Sequence, residues 1–333
     1  MKSPNKLLFM FLMVSSTCLV MSSSNWLATW MGLEINMLGY IPLVFLKGST
    51  SESEAAVKYL IPQSVGSTMF ISSAIMSNYL DNTQIFMVIA MCLKLGVAPL
   101  HFWFPPVMAT LQLVPAFILL TWQKIAPVMV ITSLNPLVIK LTMPIAVISA
   151  LWGGVGGINQ TDIRSLLTYS SIGHTGWMLV STISNPSIVF TYLMIYILIN
   201  TSIYIFLAKE DTKSYKQLFS SKEPTKALIL AISLLSLAGL PPLTGFVMKL
   251  LVLVFTEAEL FIILGLVAGA LMSLFYYLSL TFSTLTSVSK INLIKYTMNP
   301  KMSLMFFLLQ ILPLTTILFF FWQGKLTYKL LGS

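Results

Sequence analysis

Apolar runs of membrane-spanning length follow one another along the chain, separated for the most part by short polar connections. A crossing helix needs about 20 predominantly apolar residues. Eleven runs meet that requirement, near 4–22, 25–46, 59–79, 84–104, 110–133, 138–158, 165–184, 187–208, 226–255, 260–287 and 303–322. Two connections are longer, Lys209–Lys226 and Val288–Met302. The pattern predicts an all-α polytopic membrane protein of about eleven transmembrane helices.

Two of the runs carry helix breakers at membrane depth. The fourth reads Lys94-Leu-Gly-Val-Ala-Pro99-Leu-His101-Phe-Trp103-Phe-Pro105-Pro106, and the ninth Leu237-Ala-Gly239-Leu-Pro241-Pro242-Leu-Thr-Gly245-Phe-Val-Met-Lys249. Proline removes a backbone donor and clashes with the preceding turn. The carbonyls so freed cannot face lipid, so each break must line a polar cavity or pack on protein. Spans four and nine cross in opposite senses, and spans 1–5 and 6–10 can therefore form an inverted repeat with paired broken helices. The expected organisation is a first five-helix repeat over 1–136, a second over 137–288, and a C-terminal loop and last helix over 289–333. Gly153-Gly-Val-Gly-Gly157 in the sixth span reads as a close-packing surface for a neighbouring helix.

Composition agrees with the apolar pattern. Of 333 residues, 57% are hydrophobic and 9% charged, against about 25% charged in soluble domains. The net charge of +9 is mainly a topology signal. With eleven spans, thirteen of the nineteen basic residues fall on the N-terminal side and only Lys140, Lys325 and Lys329 on the other. The N-terminus is expected in the positive-inside compartment, with anionic phospholipid headgroups as partners of the basic loops. Nucleic-acid binding is not expected. The run after Lys2 and Lys6 reads as a retained first helix rather than a cleaved signal. Cys18 and Cys92 both lie in apolar runs and read as small core residues, with no metal or disulfide spacing.

Four charged residues sit inside spans, where charge costs roughly 2.5–3.5 kcal/mol on insertion scales: Glu34, Lys94, Lys124 and Lys249. They occupy four different spans and are candidates for an ion route. His174, on the seventh span, is a candidate proton relay. His101, beside Pro99 and Trp103, reads as structural. Thr121, Tyr169, Ser170 and Ser171 are placed to order water along such a route.

These residues carry a resemblance. Trp30-Met-Gly-Leu-Glu34-Ile-Asn36, Leu93-Lys94 through Pro105, and Leu120-Thr-Trp122-Gln-Lys124-Ile-Ala-Pro127 are similar to stretches of the NADH dehydrogenase subunit 2 family. So are Gly153-Gly154 through Gln160, Tyr169 through Trp177, and Leu237 through Lys249. This is a family of antiporter-like membrane subunits of respiratory complex I. The matching stretches run from the second span to the ninth. The resemblance implies a proton-translocating subunit of an NADH:ubiquinone reductase in the mitochondrial inner membrane, with the N-terminus on the matrix side and the C-terminus facing the intermembrane space. It implies that Glu34 pairs with Lys94 and that Lys124 and Lys249 continue the route. The partners implied are the other membrane-arm subunits. NADH, FMN, iron–sulfur clusters and ubiquinone are expected in those partners and no cofactor on this chain. One departure is visible: Pro106 stands where relatives often carry a glutamate.

Burial favours the neutral form of lysine and of glutamate, and a nearby opposite charge reverses that preference. Glu34 close to Lys94 is therefore expected to hold both ionised, and its withdrawal to ease release of the Lys94 proton toward Lys124 and Lys249. No cysteine cluster, dinucleotide fingerprint or nucleophile elbow marks a redox site of the chain's own. Two other readings share the pattern: a subunit of a multisubunit cation/proton antiporter, and a spacer that only separates its neighbours in an assembly.

Overall fold

The computed structural model describes residues 4–45, 48–77, 79, 83–210, 224–256 and 259–290. The expected eleventh span, 303–322, lies outside them. The regular elements of the described residues are helices, and those residues fall into two compact units: those within 4–189 and 256–273, and those within 190–255 and 274–290.

The first unit contains α1 (Pro4–Ser22), α2 (Trp26–Val44), α3 (Thr50–Met76), α4 (Gln84–Leu95) and α5 (Phe104–Thr110). After these come α6 (Leu113–Leu120), α7 (Trp122–Thr132), the one-turn α8 (Pro136–Ile139), α9 (Thr142–Ile158) and α10 (Ile163–Ser181). Helix α11 (Pro186–Glu210) begins in this unit, as does α14 (Leu260–Lys290). Helix α10 is the enclosed one: from Leu166 to Ser181 every residue is buried except Tyr169 and Gly173, which are half-buried. Helix α9 packs along it at glycine. A Cβ on Gly153 would lie 2.5 Å from the Gly173 nitrogen, and one on Gly176 2.5 Å from Ser149 Oγ. Only hydrogen fits there, so the small-residue surface read from the sequence is a helix–helix contact.

Five helical stretches among the described residues are long and apolar enough to cross a membrane: Trp26–Val44, Leu113–Thr132, Pro136–Ile158, Pro186–Ala208 and Leu260–Ser283. Helices α3 and α10 are also long. Their buried faces carry Gln63, Ser67 and Ser73 on α3, and Thr168, Ser170, Ser171 and His174 on α10. Large apolar side chains such as Leu7, Phe11, Leu27, Val57, Phe261 and Phe275 point outward. A protein with polar groups inside and leucine and phenylalanine outside is solvated by lipid, and the chain is a multi-pass membrane protein.

Three differences from the sequence reading have local causes. The third helix starts at Thr50, ahead of the apolar run, because Ser49 caps it by accepting from the Glu52 amide at 3.4 Å. The fifth span is broken at Thr121, between α6 and α7, where the backbone turns to φ −111°, ψ −70°. The Thr121 hydroxyl bonds back to the Phe117 carbonyl at 2.7 Å. Cys92 is buried, as expected, but Cys18 is exposed, because α1 lies against α2 and α7 and presents its other face outward.

Bonds between connections agree with alternating sides in this unit. Gln112 donates to the Glu52 carboxylate, and Arg164 donates to the Leu111 carbonyl, joining three connections that the basic-residue bias puts on one side. Asn135 donates to Gln84 Oε1 at 3.3 Å, joining two connections of the opposite side.

The second unit holds the rest of α11, then α12 (Pro224–Ala238), α13 (Thr244–Phe255) and α14 from Leu274 onward. Its interior contains Tyr192, Tyr196 and Tyr277, each fully buried.

Candidate functional site

The break in the fourth span is built to satisfy backbone groups without lipid contact. Helix α4 is 12 residues, about 18 Å, well short of the roughly 30 Å hydrocarbon core. Gly96 ends it in the left-handed region, at φ 67°, a conformation that costs glycine nothing. The orphan carbonyls are then shared out. Val97 donates to Cys92 at 3.1 Å, Gly96 to Leu93 at 3.2 Å, Trp103 Nε1 to Leu93 at 3.1 Å, and Gln63 Nε2 to Lys94 at 3.0 Å. Trp103 folds back from the turn after the break and Gln63 reaches across from α3. The chain resumes helix at Phe104, with Pro105 and Pro106 in the first turn, where a missing N–H is harmless.

Lys94 sits in the last turn of α4, where the carbonyl end of a helix favours a cation. It is 6% exposed. Glu34, half-buried on α2, is the charge that acts on it. No ion pair within 4.0 Å joins them, so the attraction is exerted through space rather than by contact.

Lys124, 2% exposed in the first turn of α7, donates from Nζ to the Ser171 carbonyl on α10 at 3.0 Å. The same ammonium lies 5.7 Å from the centre of the Phe104 ring, within cation–π range. The break in the fourth span is what sets that ring under Lys124. His174, 5% exposed, stands on α10 three residues beyond Ser171. Thr121, Ser170 and Ser171, expected to order water, bond back to carbonyls of their own helices. His101 is 3% exposed, stacked on Phe102 at 4.6 Å and edge-on to Trp152 at 5.5 Å.

In the second unit the other break repeats the device. Helix α12 ends at Ala238, and Gly239 turns at φ 89° and donates to Leu235 and Ser236. Lys249 on α13, 7% exposed, reaches back and donates to the Ala238 carbonyl at 2.8 Å. The lysine itself closes the broken end, and its charge sits at the negative end of α12.

Sequence reading missed a polar group of the first unit. Tyr59 donates to Gln123 Oε1 at 3.3 Å, and Gln123 Nε2 donates to Asn36 Oδ1 at 3.1 Å. With Gln63 and Lys94 these residues line a cavity of about 10 Å³. The available signal was Asn36 two residues beyond Glu34 and Gln123 beside Lys124, amides inside apolar runs.

Each break, with a buried lysine beside it, can hold a charge inside a bilayer. Comparison with known proteins gives the family. Residues 23–85 and 77–273 match the family described as NADH:quinone oxidoreductase/Mrp antiporter, transmembrane. NADH-ubiquinone oxidoreductase chain 2 of Lumbricus terrestris is 36% identical over 303 residues, covering 85% of this chain and 88% of that one. The protein of the same name from Civettictis civetta is 38% identical over 301 residues, covering 85% and 86%. Among solved structures, a chain of respiratory complex I from Thermus thermophilus has a TM-score of 0.77 at 20% identity, covering 93% of this chain and 79% of that one. A chain of the Dietzia Mrp complex has a TM-score of 0.68 at 16% identity, covering 85% and 59%. The chain therefore belongs to the NADH:quinone oxidoreductase/Mrp antiporter family of membrane proteins.

Proposed function

We propose that the chain is the proton-translocating, antiporter-like membrane subunit of a respiratory complex I, coupling NADH:ubiquinone electron transfer in its partner subunits to proton movement. The observation that carries this reading is the burial of Lys94 and Lys124 beside one helix break and of Lys249 at another. Lipid alone gives no reason to keep such charges. Glu34 modulates Lys94 from a distance, Lys124 is the next carrier with His174 as a relay on α10, and Lys249 is the corresponding carrier of the second unit. The names of the relatives support complex I over the second reading, a cation/proton antiporter subunit, which the family description and the Mrp likeness keep in view.

The finer architecture belongs to the same proposal. The chain crosses the membrane eleven times, spans 1–5 and 6–10 form an inverted repeat over 1–136 and 137–288, and 289–333 is an appendage. It resides in the mitochondrial inner membrane with its N-terminus toward the matrix, bound to other membrane-arm subunits and to phospholipids. Redox cofactors belong to the partners, and the chain contributes to the reductase without a redox centre of its own.

The test is a native gel of the parent membrane with mass spectrometry of the band, followed by Lys124→Ala in the assembled complex. We expect the chain in a band with quinone-inhibitor-sensitive NADH oxidation, and loss of proton pumping in the variant. A band without NADH oxidation that exchanges cations for protons establishes the antiporter reading instead. Unchanged pumping in Lys124→Ala leaves only a spacer.

A further inference from the structure

We propose that Gln123 is a positioning residue: its bridge from Tyr59 to Asn36 fixes the first turn of α7 and so holds Lys124 in register with the Glu34 helix and with the break at Lys94. The inference rests on the functional reading above and deepens it.

The backbone gives that turn little hold. Thr121 leaves the helical path at its start, with φ −111° and ψ −70°. The Lys124 amide reaches the Thr121 carbonyl only at 3.4 Å, and Pro127 has no N–H for the Gln123 carbonyl. Consecutive side chains on a helix do not face one another, and here they go to different neighbours. Gln123 Nε2 donates to Asn36 Oδ1 on α2 and its Oε1 accepts from Tyr59 on α3, while Lys124 donates to the Ser171 carbonyl on α10. The turn that carries the ammonium is pegged on two sides, and one of the pegs is a neutral amide.

The groups that Gln123 holds are themselves fixed. The buried Tyr59 ring lies 4.8 Å from the Tyr40 ring and 5.9 Å from that of Trp103. Trp103 closes the broken end of α4 by donating to the Leu93 carbonyl, and Gln63, one turn along α3 from Tyr59, donates to the Lys94 carbonyl. Asn36 is buried on α2, two residues beyond Glu34. One set of uncharged side chains thus stands beside each charge held within the spans of the first unit: Asn36 beside Glu34, Trp103 and Gln63 at Lys94, and Gln123 beside Lys124. Breaking the bridge leaves every one of these charges in place but frees the first turn of α7 to swing about Thr121, carrying Lys124 off the Ser171 carbonyl and the Phe104 ring. A supporting side chain acts on a reaction in this way, through the position of the group that reacts.

The experiment uses the assembled complex in proteoliposomes and reads protons pumped per NADH oxidised, with assembly followed on a native gel. Gln123→Asn keeps the amide but is one methylene too short for the bridge. We expect it to assemble and to oxidise NADH, with pumping lowered about tenfold or more, because a misplacement of about 1 Å costs on the order of a hundredfold in a step that depends on positioning. Asn36→Gln combined with Gln123→Asn exchanges the two lengths and restores the joint reach, and most of the pumping is expected to return. A role in packing alone would make the combined variant worse than Gln123→Asn, not better. Unaltered pumping in Gln123→Asn, or no recovery in the combined variant, overturns the role. If Gln123→Asn fails to assemble, Tyr59→Phe, which removes a single oxygen and one of the two bonds, carries the test: a partial loss of pumping with normal assembly supports the bridge, and unaltered pumping ends it. Lys124→Ala separates the two levels: normal pumping there removes the functional reading itself, whereas lost pumping there with normal pumping in Gln123→Asn removes only the bridge.

Discussion

The Lys124 ammonium donates to the Ser171 carbonyl at 3.0 Å and so ties the first turn of α7 to the enclosed helix α10, three residues before His174. The bond places a cation at the start of α7, where the helix dipole disfavours it. Its compensation comes from the α10 backbone and the Phe104 ring. Lys124→Arg keeps the charge but replaces the compact ammonium on the Ser171 carbonyl with a broad planar fork of five donors. We expect that variant to assemble and to pump far below the unaltered complex, measured as proton uptake per NADH oxidised. Full pumping would mean that charge alone suffices at this position.

Gly66 on α3 is where Lys94 passes. A Cβ there would lie 2.9 Å from Lys94 Cγ and 3.2 Å from the Ala90 carbonyl. Gly66→Ala must displace the lysine stem or separate α3 from α4. Overpacking of this kind costs about 1–3 kcal/mol. The expected outcome is an assembled complex with impaired pumping and a lowered melting temperature; wild-type values of both would show that the helices separate freely.

Glu52 is 2% exposed, accepts from the Gly48 amide at 3.0 Å and is also held by Gln112. Glu52→Ala removes the acceptor shared by the exposed Gly48 amide and the half-buried Gln112 side chain, at about 0.5–1.5 kcal/mol for each bond lost. Faster proteolysis near residues 111–112 in the assembled complex is the expected sign. Protection equal to that of the unaltered protein would count against Glu52 as the clasp of that end of the unit.

In the second unit Gly245 lies so close to the Ser236 carbonyl that a Cβ would overlap it. Gly245→Ala therefore forces α12 and α13 apart at the break and shifts Lys249 from the Ala238 carbonyl. Loss of the subunit from the assembled complex, read on a native gel, is the expected result. Normal assembly with normal pumping would show that the tight helix contact is dispensable.

Much of the fold was legible because its signals are local. Proline and glycine mark the breaks at Gly96 and Gly239 wherever they stand, since each acts on its own backbone. The kink at Thr121 escaped because a threonine bonding back to its own helix has no unambiguous mark in the sequence. The early start of α3 escaped because Ser49 and the buried Glu52 look like surface polarity until Gln112, sixty residues away in sequence, is brought beside them. Cys18 was misplaced for a related reason: apolar character is the same on a lipid-facing and a core-facing side of a membrane helix, and only packing tells them apart.

The sequence by itself determined that the chain is a many-helix membrane protein, that two helices are interrupted, and that Glu34, Lys94, Lys124 and Lys249 are the charged groups held within spans. These follow from the cost of polar groups in hydrocarbon, which is paid residue by residue. Tertiary structure alone decided what each charge rests on: a carbonyl of α10 for Lys124, the broken end of α12 for Lys249, and a polar cavity for Lys94. Such partners come from distant parts of the chain, and hydrogen bonds form only between atoms that folding has already brought within about 3 Å.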